Sequence, residues 1–113
     1  MKEEVRRWLK TEDMLMQQLK RFKHDLGKKI NVEKMILFGS RAKGNANRTS
    51  DVDILLISKD FTGKKYFRRS PELYMLWDYD CDVDILCLTK EELKKKQGQI
   101  SIISQAVKEG ILI

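Results

Sequence analysis

Met35-Ile36-Leu37-Phe38-Gly39-Ser40-Arg41 and Ser50-Asp51-Val52-Asp53-Ile54-Leu55 decide how this chain is read. Four apolar residues run straight into Gly-Ser, which predicts a buried strand stopped by a tight turn. Ten residues then separate Ser40 from Asp51. On a strand the side-chain period is two, so Asp51 and Asp53 share one face while Val52 and Ile54 share the other. The same pentapeptide, Asp-Val-Asp-Ile-Leu, returns at 82–86 between unrelated flanks. It predicts another strand, with Asp82 and Asp84 on one face. Two such strands side by side gather several carboxylates, which repel unless a cation sits among them. Divalent-metal chemistry is the first expectation.

Outward from this stretch the elements follow from periodicity. Residues 3–26 carry Val5, Trp8, Leu9, Leu15, Met16, Leu19, Phe22 and Leu26 at helical steps, with Met14 widening the stripe. They predict one long helix, capped at Gly27. Strands are expected at 32–38, 51–58 and 82–88, and a polar connection with one helical turn at 41–50. A loop through Gly63 leads to a helix over 66–79, with Pro71 near its start. Thr89 followed by Glu92 is a capping-box signature for a helix over 90–97, which Gly98 breaks. A final short helix covers 99–108, and Ile111-Leu112-Ile113 adds a terminal strand. The expected fold class is α/β of the α+β type: a small mixed sheet packed by helices.

The chain has 113 residues, which suits a single domain over 1–113. Hydrophobic residues make up 42% and charged residues 35%, a globular balance without a membrane span or signal peptide, so a cytoplasmic location is expected. Cys81 and Cys87 are the only cysteines and are expected to stay reduced as packing residues. The lone His24 lacks the companions of a zinc site. Net charge is +6, from 23 basic and 17 acidic residues, which suits phosphate-bearing ligands or an acidic partner. Lys94-Lys95-Lys96 reads as a solvated helix face.

Three features converge on a site. Gly39-Ser40 can bring backbone amides and a hydroxyl to a phosphate, with Arg41 and Lys43 adding charge. Asp51 and Asp53 supply paired carboxylates, and Asp84 a third from the later strand. The Gly-x-x-x-x-Gly-Lys-Ser/Thr phosphate loop is absent. Gly39-Ser40-Arg41-Ala42-Lys43-Gly44, then Ser50-Asp51-Val52-Asp53-Ile54-Leu55, with Val83-Asp84-Ile85-Leu86 later, resembles the polymerase-beta-like nucleotidyltransferase superfamily, and in it the minimal nucleotidyltransferase branch. The resemblance covers a catalytic core of about 30–90.

That resemblance implies two Mg²⁺ ions held by Asp51, Asp53 and Asp84. It implies Gly39 and Ser40 on the β/γ-phosphates, and Arg41 or Lys43 beside the leaving pyrophosphate. An acceptor hydroxyl would attack the α-phosphorus in line, taking a nucleoside monophosphate, AMP from ATP. Asp84 would also help remove the acceptor's proton. Asp82 shares the face of Asp84 but sits at the start of the strand, where solvation is easy, and the family pattern has only three carboxylates. The resemblance further implies the antitoxin of a toxin–antitoxin pair, acting on a helical HEPN-type protein partner. A homodimer is the other way to build an acceptor site, since the chain has no room for a separate acceptor domain. The alternatives are a small-molecule nucleotidyltransferase of the aminoglycoside-modifying kind, and a weakly catalytic binding module. Template-directed nucleic-acid synthesis is not expected, because no template-binding region is present.

Overall fold

The apolar stripe at the N-terminus forms one helix, α1 (Glu3–Leu26), as its three- and four-residue spacing predicts. The computed structural model describes residues 3–43, 51–79 and 81–113, and the side chains of these except 3–13, Ser40 and Lys43. The polar connection at 44–50 and Asp80 lie outside the described residues, and the side chains of Val5, Trp8 and Leu9 outside the described side chains. Within the described part, Leu15, Leu19, Phe22 and Leu26 of α1 are all buried.

They pack on one face of a sheet built from β1 (Lys34–Phe38), β2 (Val52–Ile57), β3 (Val83–Leu88) and the two-residue β4 (Ile111–Leu112). Strand order is β3-β2-β1-β4. β1 runs antiparallel to β2 and to β4, while β2 and β3 are parallel, so the sheet is mixed as expected. Alternation sorts the side chains cleanly. Met35, Leu37, Val52, Ile54, Leu56, Val83, Ile85 and Cys87 face α1 in one core cluster. Ile36, Phe38, Leu55, Ile57 and Leu88 face the other way, under Ile103 and Ala106 of α6 (Ser101–Glu109) and Leu93 of α5 (Lys90–Gln97). Both cysteines are buried and unpaired. Burial pushes the Cys87 thiol up to about 12.

α5 begins as the Thr89/Glu92 spacing predicts. The Thr89 hydroxyl accepts from the Glu92 N–H at 3.2 Å, and the Glu92 carboxylate accepts from the Thr89 N–H at 2.8 Å. The region 66–79 departs from expectation. In place of one helix it forms two single turns, α3 (Tyr66–Arg69) and α4 (Pro71–Tyr74), and no helix continues to 79. Pro71 lacks an N–H for the preceding turn and disfavours continued helix through Ser70, so the chain restarts there.

The break serves the sheet. It turns Arg69 and Tyr74 toward the outer edge of β3. The Arg69 guanidinium donates to the Cys87 carbonyl at 3.0 Å, and the Tyr74 hydroxyl accepts from the Ile85 N–H at 3.0 Å. Arg69 also donates to the Lys64 carbonyl, and binds both carboxylate oxygens of Glu92 at 2.6 and 3.1 Å. Its guanidinium lies 4.4 Å from the centroid of the Tyr66 ring. The Arg69 hydrogen bonds, helped by the Thr89 N–H and the Tyr66 hydroxyl, hold the Glu92 carboxyl down at about 2. A carboxyl depressed on folding stabilises the native state above its unfolded value of about 4.5, and that stability is lost as pH falls toward 2. Urea titrations between pH 5 and 2.5 should therefore show acid destabilisation that is smaller in Glu92→Gln than in the parent chain.

Candidate active site

The turn after β1 and the first residues of β2 and β3 meet at one end of the sheet. Gly39 has φ +76°, in the left-handed region that L side chains rarely adopt. A Cβ at this position would also collide with Asp53 Oδ2. The glycine is therefore needed twice, for the bend and for the approach of the acidic strand. The collision follows from the register, in which Phe38 pairs with Asp53 across β1 and β2. Gly39→Ala should lose about 1–2 kcal/mol from the left-handed backbone alone, read by urea denaturation. It should also displace the Asp53 carboxylate.

On its other side Asp53 pairs in parallel register with Asp84. Adjacent strands are about 4.8 Å apart, so the two carboxylates stand side by side on the face opposite α1. α5 and α6 cover that face further along the strands, over Leu55, Ile57 and Leu88. Asp53 is half-buried, while Asp51, Asp82 and Asp84 are exposed. Asp51 directly precedes β2. The Asp82 carbonyl accepts from the Val52 N–H at 2.9 Å, which ties the start of β3 to the residue between Asp51 and Asp53.

The electrostatics fit this crowding. Burial, then the Asp84 carboxylate, then that of Asp51 raise the Asp53 carboxyl above its ordinary value. Among the described residues no three carboxylate, imidazole or thiol groups already stand close enough to hold an ion. Each aspartate has alternative staggered rotamers on an unchanged backbone. The donor set is all hard oxygen, and it concentrates negative charge on Asp53, so it fits Mg²⁺ or a similar hard divalent ion.

Arg41 lies in α2 (Ser40–Lys43), the one helical turn that follows Gly39. It is only 2% exposed. Burial pushes the Cys81 thiol up, and the positive charge of Arg41 pulls it partly back down. The side chains of Ser40 and Lys43 lie outside the described residues. A recess of about 110 Å³ opens beside the turn, between Gly39 and Asp53 on one side and Ile102, Gln105, Ala106 and Glu109 of α6 on the other. The sequence reading did not place α6 here, because its amphipathic pattern says that one face is buried but not against what. A larger open cleft of about 830 Å³ lies at the other end of the sheet, flanked by Lys20, Lys23, His24, Lys28 and Lys29. It contains none of the acidic residues that carry the chemistry, so size does not make it the active site.

Comparison with known proteins agrees with this geometry. The nucleotidyltransferase domain family model matches residues 15–112. A presumed nucleotidyltransferase from Sulfolobus solfataricus, known from a crystal structure, superposes with a TM-score of 0.66 at 21% sequence identity. The superposition covers 93% of this chain and 84% of the other, and at that identity the likeness is one of fold. No curated protein matches the chain.

Proposed function

Because the chain belongs to the nucleotidyltransferase domain family and has the polymerase-beta-like fold, we propose that it transfers AMP from ATP to a hydroxyl of a protein partner. We take that partner to be a helical HEPN-type toxin, which the modification neutralises. The observation that best supports transfer chemistry is the register of Asp53 with Asp84, beside a glycine whose missing Cβ makes room for Asp53.

Asp51, Asp53 and Asp84 would hold Mg²⁺, which when bound supplies charge neutralisation for the triphosphate and the leaving pyrophosphate. The remaining work belongs to the chain itself. Gly39 would open the turn so that its backbone could approach the phosphates closely, a role in which the sequence also enlists Ser40 and Lys43. Asp84 is exposed, and its carboxylate would accept the proton of an incoming hydroxyl. The α5–α6 cover over the rest of that face confines the nucleotide to the end where the carboxylates lie. No helix among the described residues is long and apolar enough to cross a membrane.

The test is incubation with α-labelled ATP, Mg²⁺ and the protein encoded next to this chain. Label on that protein, lost in Asp53→Asn, supports the proposal. A stable complex that never becomes labelled would instead favour a partner-binding module. Label transferred only to aminoglycosides would favour a small-molecule enzyme.

A further inference from the structure

The open cleft of about 830 Å³, at the end of the sheet away from the carboxylates, has no part in the transfer reading. Lys20, Lys23 and His24 reach it from the last two turns of α1, at three- and four-residue steps that share one helix face. Lys28 and Lys29 reach it from the turn that follows. That turn is held by its own backbone. The Lys28 N–H donates to the Asp25 carbonyl at 3.2 Å, and the N–H groups of Lys29 and Ile30 donate to the Leu26 carbonyl at 2.9 Å. The opposite wall is Asp60, in the 3-10 turn Lys59–Phe61.

A helix end calls for some positive charge, but not for this much. The macrodipole leaves about half a negative charge at the C-terminus, which a single lysine offsets. Lys23 is already engaged, its ammonium donating to the Ile113 main-chain oxygen at 2.7 Å. Lys28 lies 4.0 Å from Asp25, an exposed pair of little worth. Lys20 and Lys29 are exposed and have no partner among the described residues. Among those residues Asp60 is the only carboxylate lining the cleft, and it is turned to the backbone, accepting from the Asn31 N–H at 2.7 Å. Four lysines face one carboxylate, so the cleft keeps a positive surplus that the fold does not use.

The side chains present say which anion suits it. Carboxylates are best gripped by the bidentate fork of arginine, and no arginine lines the cleft. Lysine is a point charge with three rotatable donors, suited to phosphate oxygens along a flexible backbone. No Phe, Tyr or Trp is there to stack a base, and Ile30 and Val32 are the only large apolar side chains lining it. A site that encloses a mononucleotide would need more apolar wall than this. An open channel walled by lysine matches a sugar–phosphate backbone, bound without regard to sequence. Its size admits one strand and not the width of a duplex.

We propose that this cleft binds the phosphate backbone of a single-stranded nucleic acid. The site stands apart from the proposed reaction. The six residues of β2 separate the two ends of the sheet by about 20 Å. A strand in the cleft therefore lies clear of Asp53 and Asp84, whose charge would repel its phosphates. Binding needs neither ATP nor a divalent ion, and it anchors the protein to the strand without making that strand the acceptor.

The experiment follows the anisotropy of a fluorescein-labelled single-stranded oligonucleotide, in EDTA and without ATP. With three or four phosphates neutralised at a slope of about −0.7 each, affinity should fall by about 20–50-fold between about 50 and 200 mM salt. Lys20→Ala with Lys29→Ala should weaken binding by about tenfold at the lower salt and flatten the slope by about 1.4. Lys94→Ala with Lys95→Ala removes the same charge from the exposed face of α5 and should change binding by less than about twofold. Asp53→Asn should bind no more weakly than the parent. Equal weakening by the two lysine pairs would show diffuse attraction by the net charge of +6 and overturn the cleft. A glutamate-rich peptide of equal charge that binds more tightly, with the same dependence on Lys20 and Lys29, would assign the cleft to an acidic protein segment instead. A duplex that binds more tightly than the single strand would overturn the choice of occupant. No binding by the parent chain at the lower salt would overturn the proposal outright. None of these outcomes bears on the transfer reading, which labelled ATP tests separately.

Discussion

Asp53→Asn should abolish nucleotidyl transfer, by on the order of 10³-fold or more, without unfolding the protein. A divalent ion contributes several kcal/mol of charge stabilisation to phosphoryl chemistry, and each 1.4 kcal/mol lost is about tenfold in rate. Asp53 is the pivotal ligand candidate because it lies between the other groups. Asp84 flanks it in register on β3, and Gly39 abuts it from the turn. Asparagine keeps its volume, so the packing against Gly39 survives. In metal-free buffer the variant should be as stable as the parent or more so, since one of the mutually repelling charges has gone. Thermal unfolding in EDTA, beside a transfer assay in Mg²⁺, checks both halves. Retained transfer, or a collapse of stability, would contradict the assignment. Asp82→Asn should affect transfer far less, because Asp82 stands before β3 and engages β2 through its carbonyl.

The largest stability loss should come from Arg69→Ala. The Arg69–Glu92 pair is largely enclosed, with the two side chains 5% and 26% exposed. Breaking a buried pair from one side costs about 3–5 kcal/mol, because the remaining group is left without its partner. Here the loss also strips a donor from the carbonyls of Cys87 and Lys64. In a domain of this size the midpoint should fall by on the order of 10 °C or more. Replacing both residues, as Arg69→Met with Glu92→Leu, should recover only part of the loss. Apolar substitution can replace the ion pair, but it cannot serve the buried Cys87 carbonyl, worth roughly 1–3 kcal/mol when unpaired. Full recovery in the double variant would show that those carbonyl bonds carry little weight.

Much of this was legible in local pattern. The α1 stripe, the alternation in β2 and β3, and the Thr89/Glu92 cap are all encoded within a few residues, so the sequence predicts them directly. The sequence reading expected the two acidic strands side by side, and the fold adds the parallel register that pairs Asp53 with Asp84. What stayed hidden depends on residues far apart in the chain. Nothing near Arg41 in the sequence says that it is buried, and only the fold covers it. Glu92 reads as a cap residue, and only the fold reveals that it also holds Arg69. The split at Ser70-Pro71 was visible as a proline, but its consequence for β3 was not. Likewise the lysines around the large cleft are spread along the sequence from Lys20 to Lys29, and only folding gathers them at one end of the molecule.

The covered edge of β3 bears on how the protein behaves in a crowded solution. A sheet edge with unpaired amides and carbonyls is a template on which other chains can grow, and long flat edges seed aggregates. Here the six-residue edge strand has its Ile85 amide taken by Tyr74 and its Cys87 carbonyl by Arg69, so an incoming strand finds these positions occupied. The opposite edge is β4, only two residues long, too brief to direct a neighbour. Arg69 thus guards against fibril-like association as well as supporting the native state. Its loss exposes a chain that is both easier to unfold and better shaped to recruit its own copies.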